Sequence, residues 1–334
     1  EDKLQGIDYT YTIHGWLKAV NHDSLTVAND PGADNQSNRF APDAFGMQLN
    51  YFTGDFNRTG SVFHAGATDA LNPETNHDLF NGNISTWASN TIPNPAGLTL
   101  QYEQLTGNQY RYDELNRIKK SDFKYFASGW NATDDYNTRY SYDANGNIDT
   151  LIRNGYAVQH LLMDSLFYAY TPLTNQLDYV KDPVTANNYS EDIDAQNPGN
   201  YDYDPIGQLT RDDAEEIAQI AWTVYGKIKS ITRIAGSTRP ALRFRYDASG
   251  NRIKKEIINA PTNPTKNKST YYVRDASGNV MAIYEETNAV VPTGYIAQVH
   301  MAEQPIYGSD RLGQRRDSIP VKATLYPSNG SAPI

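Results

Sequence analysis

With no cysteine, six histidines and 39 acidic residues, the chemistry open to this 334-residue chain is narrow. Thiolate nucleophiles, disulfides, zinc knuckles and iron–sulfur sites are excluded outright. His14, His22, His64, His77, His160 and His300 show no metal-ligand spacing of the H-E-x-x-H kind, and the nearest pair lies eight residues apart. They read as surface or turn residues. The segments Asp143-Ala-Asn-Gly-Asn147, Asp247-Ala-Ser-Gly-Asn251 and Asp275-Ala-Ser-Gly-Asn279 are oxygen-rich enough to suggest calcium loops. Their glycine sits at the wrong step, however, and no distal bidentate glutamate follows. Asp134-Asp135 and Asp212-Asp213 are adjacent pairs, which in an extended chain point to opposite faces instead of across the roughly 5 to 10 Å cleft of a glycosidase. No G-x-S-x-G, Walker or G-x-G-x-x-G element occurs. The expectation is a protein without catalytic activity, cofactor or metal.

The composition narrows the setting. A net charge of −10 argues against nucleic acid as a partner, since a phosphate-tracking protein normally presents a basic face. Hydrophobic residues supply 39% of the chain and tyrosine alone 25 positions, enough to bury a core. No apolar run approaches membrane-spanning length and no charged-then-apolar start is present, so neither membrane insertion nor a signal peptide is expected. Zero cysteine beside abundant Asn, Gly and Tyr suits a large secreted or outer-surface β-structure of a Gram-negative cell.

The elements that would position any site come from a repeat. Its frame is aromatic, any residue, aromatic, Asp, two residues, Gly, then a β-branched strand. The copies are Tyr140-Ser-Tyr142-Asp143 with Gly146, Tyr201-Asp-Tyr203-Asp204 with Gly207, and Phe244-Arg-Tyr246-Asp247 with Gly250. Tyr110-Arg-Tyr112-Asp113 places Asn116 where glycine would stand, the usual second choice for a left-handed residue. Weaker copies are Tyr9-Thr-Tyr11 with Gly15, Tyr168-Ala-Tyr170 reaching Asn175 one residue late, Trp222 with Gly226, and Asp275 with Gly278 after Tyr271 and Tyr272.

Residues two apart share a strand face, so each Tyr pair presents two rings to one side. Asp caps the turn, and Gly takes the positive φ that closes a type I turn with a bulge. Each copy is therefore a β-hairpin. Isolated hairpins are marginal in water, so they must stack, which predicts an all-β wall or spiral. One turn of helix is conceivable at 211–217, where acidic residues would favour its start. Eight hairpins give about 16 strands and a wall on the order of 77 Å, which if closed would be about 25 Å across. That is too narrow for a folded cargo, which needs about 34 Å at 100 residues.

These residues resemble the Rhs or YD-repeat family, named for the pair present at Tyr112-Asp113, Tyr142-Asp143, Tyr203-Asp204 and Tyr246-Asp247. The resemblance covers 101–313 as a repeat array. Residues 1–100 resemble the irregular β region that precedes such arrays, with a long polar insert at 21–43. Ile306-Tyr-Gly-Ser-Asp-Arg-Leu-Gly313 resembles the closing segment, and 314–334 reads as a tail leading to a missing or separate region. The family implies a β-shell that encloses or displays a C-terminal effector, as in toxin cocoons, or a rigid extracellular module, as in teneurins. Partners would then be the remainder of the same polypeptide, an enclosed effector, secretion machinery or surface glycans. Some members carry an aspartate autoprotease at the end of the shell. Asp204-Pro205-Ile206-Gly207 matches its residues only superficially and sits in a hairpin turn with further repeats after it.

Two rival readings accompany the non-catalytic shell: an adhesin or glycan-binding module, and part of a self-cleaving toxin precursor. For the former, Trp16, Trp87 and Trp130 are candidate sugar platforms, though core packing is the favoured explanation of such rings. The 21–43 insert is a candidate exposed binding loop. Asp23-Ser24-Leu25, Asp149-Thr150-Leu151, Asp164-Ser165-Leu166 and Asp317-Ser318-Ile319 resemble O-glycosylation acceptors.

Overall fold

The computed structural model describes residues 6–26, 28–34, 40–56, 71, 78–92, 105–156, 162–186, 189, 192–259, 266–291, 294–309, 311–316 and 318–327. His64, His77, His160, Asp317 and residues 329–334 lie outside them. Among the described residues the regular structure is 22 β-strands, with no α-helix and no helix long and apolar enough to cross a membrane.

One sheet holds β1 (Tyr9–Tyr11), β2 (Leu17–Val20), β3 (Phe45–Asn50), β4 (Thr86–Thr91), β5 (Thr106–Tyr112) and β6 (Ile118–Phe126). It continues through β7 (Trp130–Ala132), β8 (Thr138–Tyr142), β9 (Ile148–Asn154), β10 (Leu162–Tyr170) and β11 (Leu177–Lys181). A second sheet holds β12 (Tyr201–Tyr203), β13 (Leu209–Asp212), β14 (Ile217–Trp222), β15 (Ile228–Arg233), β16 (Ala241–Tyr246) and β17 (Arg252–Ile258). It is completed by β18 (Lys268–Arg274), β19 (Val280–Val291), β20 (Gly294–Tyr307), β21 (Arg311–Arg315) and β22 (Ile319–Pro327). Nearly every strand pairs with its neighbours in sequence, so both sheets are open antiparallel meanders. The exceptions are β7 and β22, which share β6 and β20 with the next or previous strand. The segment 211–217 is a hairpin turn, not a helix: Glu216 takes φ 55°, and β13 pairs directly with β14.

By contact the chain divides into two compact units, 1–169 with 180–195, and 170–179 with 196–334. The first has a small apolar core of Leu71, Ala88 and Leu105, against which Phe126 and Trp130 pack. It also buries an ion pair, Lys18 Nζ to Asp55 Oδ1 at 2.7 Å, with both side chains 3% exposed. Asp55 Oδ2 accepts the Tyr51 amide at 2.8 Å, so the carboxylate is satisfied on both oxygens. In the second unit Ile217, Ile220, Ala282 and Ala297 are the buried apolar residues among those described. Its strands are otherwise half-exposed, as in a sheet standing as a single layer.

Candidate functional site

The repeated turn is built by one aspartate. Asp143 Oδ1 accepts the amides of Asn145 and Asn147 at 2.9 and 2.8 Å, and Oδ2 accepts Asn147 Nδ2 at 2.8 Å. The Gly146 amide then donates to Asp143 O, and Gly146 sits at φ 91°, a conformation side chains with a branched Cβ do not enter. Asp113, Asp204 and Asp275 bond in the same pattern, with Arg117 Nε, Gln208 Nε2 and Asn279 Nδ2 as the side-chain donors. Asp247 accepts Asn251 N and Nδ2. Asn116, Gly207, Gly226, Gly250 and Gly278 hold the positive φ in their copies. Donors converging on the carboxylate hold all five aspartates below the usual range, against the opposing effect of burial, which is the largest single cause at Asp113 and Asp204. These carboxylate oxygens thus cap their own turns.

At the strand end before each turn the register shifts by one residue, at Tyr112, Tyr142, Tyr203, Trp222, Tyr246, Arg274 and Tyr307 alike. This bulge aims the second aromatic at the preceding hairpin. There its polar tip finds a backbone carbonyl: Tyr112 Oη donates to Ile84 O at 3.0 Å, Tyr142 to Ile118 at 2.7 Å, and Tyr203 to Leu177 at 3.0 Å. Trp222 Nε1 reaches Leu209 O at 2.8 Å, Tyr246 Oη reaches Ile228 O at 2.9 Å, and Tyr307 reaches Val280 O at 3.0 Å. Tyr51 makes the same bond to Leu17 O. In all but one of these, the acceptor follows the left-handed turn residue by two; in the exception, Leu177, the loop is longer and Leu173 carries the positive φ, not Asn175. Each hairpin is thus latched to its predecessor through the polar end of an aromatic ring.

The copy at Asp275 departs from the sequence reading. Arg274, not Tyr271 or Tyr272, occupies the latch position, and its Nε donates to Arg252 O at 3.3 Å. The first aromatics serve packing. Tyr140 stacks on Tyr142 with ring centroids 6.5 Å apart, and burial pushes the Tyr110 phenol up to about 12. Tyr201 Oη accepts Gln196 Nε2, and Phe244 lies under the Arg252 guanidinium.

The other candidates fall as follows. Trp130 packs with Phe126, and Trp16 lies 5.0 Å from both Tyr51 and His14. Within the 21–43 insert Asn21, His22, Asp23, Asp30, Asp34 and Asp43 are buried, while Thr26, Ala28, Phe40 and Pro42 are exposed. Its polar side chains fold back onto backbone groups, as when Asn21 accepts the Asp8 amide and donates to Phe45 O. Asp164 is fully buried and paired with Arg153 at 2.6 Å.

Sequence reasoning missed a group of carboxylates that joins this insert to Asp8. Asp8, Asp30 and Asp34 bring oxygens within 4.8 Å of one another, a set that could hold a metal ion. Burial, then repulsion from Asp30 and Asp34, pushes the nearby Asp43 up to about 7. The carboxylates pack closely on glycine here: a Cβ on Gly32 would displace the Asp8 carboxylate, and one on Gly6 that of Asp34. The signal in the sequence was the Asp30-Pro-Gly-Ala-Asp34 turn, but the partners Asp8 and Asp43 are too far along the chain to be read with it.

No protein-family profile and no curated protein matches the chain. Solved structures of Tc toxin components do. A crystal structure of TcdB2-TccC3-TEV superposes over 98% of this chain and 23% of that chain, with 10% identity and a TM-score of 0.20. TcdB2-TccC3-Cdc42 gives 95%, 23%, 10% and 0.26. A Tc holotoxin pore from Photorhabdus luminescens with a TccC3 mutation gives 98%, 24%, 10% and 0.20. The chain spans about a quarter of the length of these chains, and TM-scores of that order do not establish a common fold.

Proposed function

We propose that the chain is a non-catalytic structural section of a β-shell belonging to a large secreted or cell-surface Rhs/YD-repeat protein, where it encloses or displays an effector. The observation that carries this is the serial latch: each hairpin is completed by a donor from the next, so the array gains stability by being extended. The open sheets, and the scarcity of buried apolar residues in the second unit, suit a wall covered from one side by other chain. The carboxylates of the Tyr-Asp turns, Asp204 included, accept the amides of their own turns, which supports reading them as scaffold.

The test is to recover the natural polypeptide from culture fluid and from cells, and to image it by electron microscopy. A shell in which this sequence forms continuous wall supports the proposal. A free monomeric product of this length, with both sheets exposed to solvent, overturns it.

A further inference from the structure

With no cysteine, the chain has no disulfide to fasten a strand whose pairing is short, and β2 is such a strand. Its ladder with β3 runs over Ala19↔Gln48 and Val20↔Met47. Beside that ladder three side chains of complementary chemistry meet: Lys18 from β2, Asn50 from the end of β3, and Asp55 from the segment that follows. All three are buried, as is the neighbouring Gln48.

Lys18 Nζ donates both to Asp55 Oδ1, at 2.7 Å, and to Asn50 Oδ1. The Asn50 side-chain oxygen also accepts Gln48 Nε2 at 3.3 Å. The Asn50 backbone is fixed as well, since its carbonyl accepts Ser85 N and Oγ at 2.7 and 2.9 Å. Tyr51 N donates to Asp55 Oδ2 at 2.8 Å, which aims the other carboxylate oxygen at the lysine. An ion pair needs only the carboxylate. This arrangement adds an electrophile: the amine nitrogen touches a carboxamide whose carbon it can attack, a proton carrier sits on that same nitrogen, and a further N–H polarises the carbonyl.

We propose that Lys18 and Asn50 join in an intramolecular isopeptide bond, with Asp55 as the proton carrier. Asp55 takes a proton from the Lys18 ammonium, and the lone pair of the neutral amine attacks Asn50 Cγ. The Cγ–Oδ1 π electrons move onto oxygen, where Gln48 Nε2 donates. Asp55 then protonates Nδ2 and accepts a second proton from Nζ; the Cγ–Nδ2 bond breaks, the carbonyl reforms and ammonia leaves, finally as ammonium. The balance is one ammonium and one carboxamide giving one secondary amide and free ammonium, so no oxidant or reductant is needed and the chain loses one positive charge. The bond clamps β2 to β3 and closes a loop around the 21–43 insert, restricting the unfolded chain as a disulfide would. It forms once per chain, without turnover, and the site stands independently of the shell proposal.

The experiment is intact mass spectrometry of the full chain, folded, incubated and then denatured, followed by proteolysis and fragment sequencing. The expected result is a chain lighter by one ammonia, with a single branched peptide joined through Lys18 and Asn50. Lys18→Arg keeps the charge and is expected to retain the full mass, while Asp55→Asn should slow the linkage by about a hundredfold or more. Circular dichroism checks that each variant folds, and the mass and branched peptide of the parent decide the matter if one does not. A parent of full mass would overturn the proposal. So would an ammonia loss that persists in Lys18→Arg, which would place it at a succinimide of an Asn-Gly pair such as Asn145-Gly146. Linkage of Asp55→Asn at the rate of the parent would overturn the role given to Asp55.

Discussion

At the scale of single residues, the chain spends its polar atoms on holding turns and joining hairpins. The Tyr142 hydroxyl is a direct case, since its acceptor, Ile118 O, is a half-buried carbonyl on another hairpin. Tyr142→Phe keeps the ring and removes the bond, so it is expected to cost about 1 kcal/mol in urea unfolding. No loss of stability would mean that the ring alone does the work. The turn aspartates predict an acid limb. Their folded pKa values lie below 3.8, so their contribution is complete above the unfolded value and is lost as pH falls through the folded one. Replacing Asp204, Asp247 and Asp275 together with Asn should flatten the fall of melting temperature below pH 4, a comparison readable by circular dichroism.

At the scale of the element, the hairpin depends on a backbone conformation as much as on its caps. Gly146 at φ 91° closes the β8–β9 turn, and a β-branched residue there is strained whatever space surrounds it. Gly146→Val should destabilise the protein by more than about 1 kcal/mol, and unchanged melting would contradict the turn assignment. The bulge at each strand end matters for a different reason. It rotates the second aromatic of the frame toward the preceding hairpin, so it connects a local turn to a long-range bond. That Trp222 and Arg274 fill the same position shows what the site requires, which is an N–H or O–H donor at the end of a long flat side chain.

At the scale of the whole molecule, charge is unevenly placed. Residues of the first compact unit include 12 basic against 24 acidic, and those of the second 17 against 15. The acidic excess is sharpest where Asp8, Asp30, Asp34 and Asp43 meet. Because the Asp43 pKa rises from 3.8 to about 7, the native state holds a proton that the unfolded chain has released, and stability falls as pH climbs between those values. Asp43→Asn cannot ionise, so it should raise the melting temperature of the first unit at pH 8 while leaving it nearly unchanged at pH 4. An equal effect at both pH values would place its origin in packing.

What the residues determined alone was local. Asp143 bonds amides two and four positions on, and Gly146 supplies the left-handed conformation between them, so every partner lies within five residues and the hairpin can be read from its own letters. The all-β character follows from repeating that unit. Tertiary structure decided which carbonyl each aromatic would reach, because the acceptors lie 13 to 34 residues away and depend on strand register. It also decided that Arg274 makes the latch in the copy at Asp275, that six polar side chains of the insert are buried, and that Lys227 and Arg252 share a face which Arg243 and Arg245 do not. Alternation along a strand gives two faces, but only pairing with neighbouring strands decides what gathers on each.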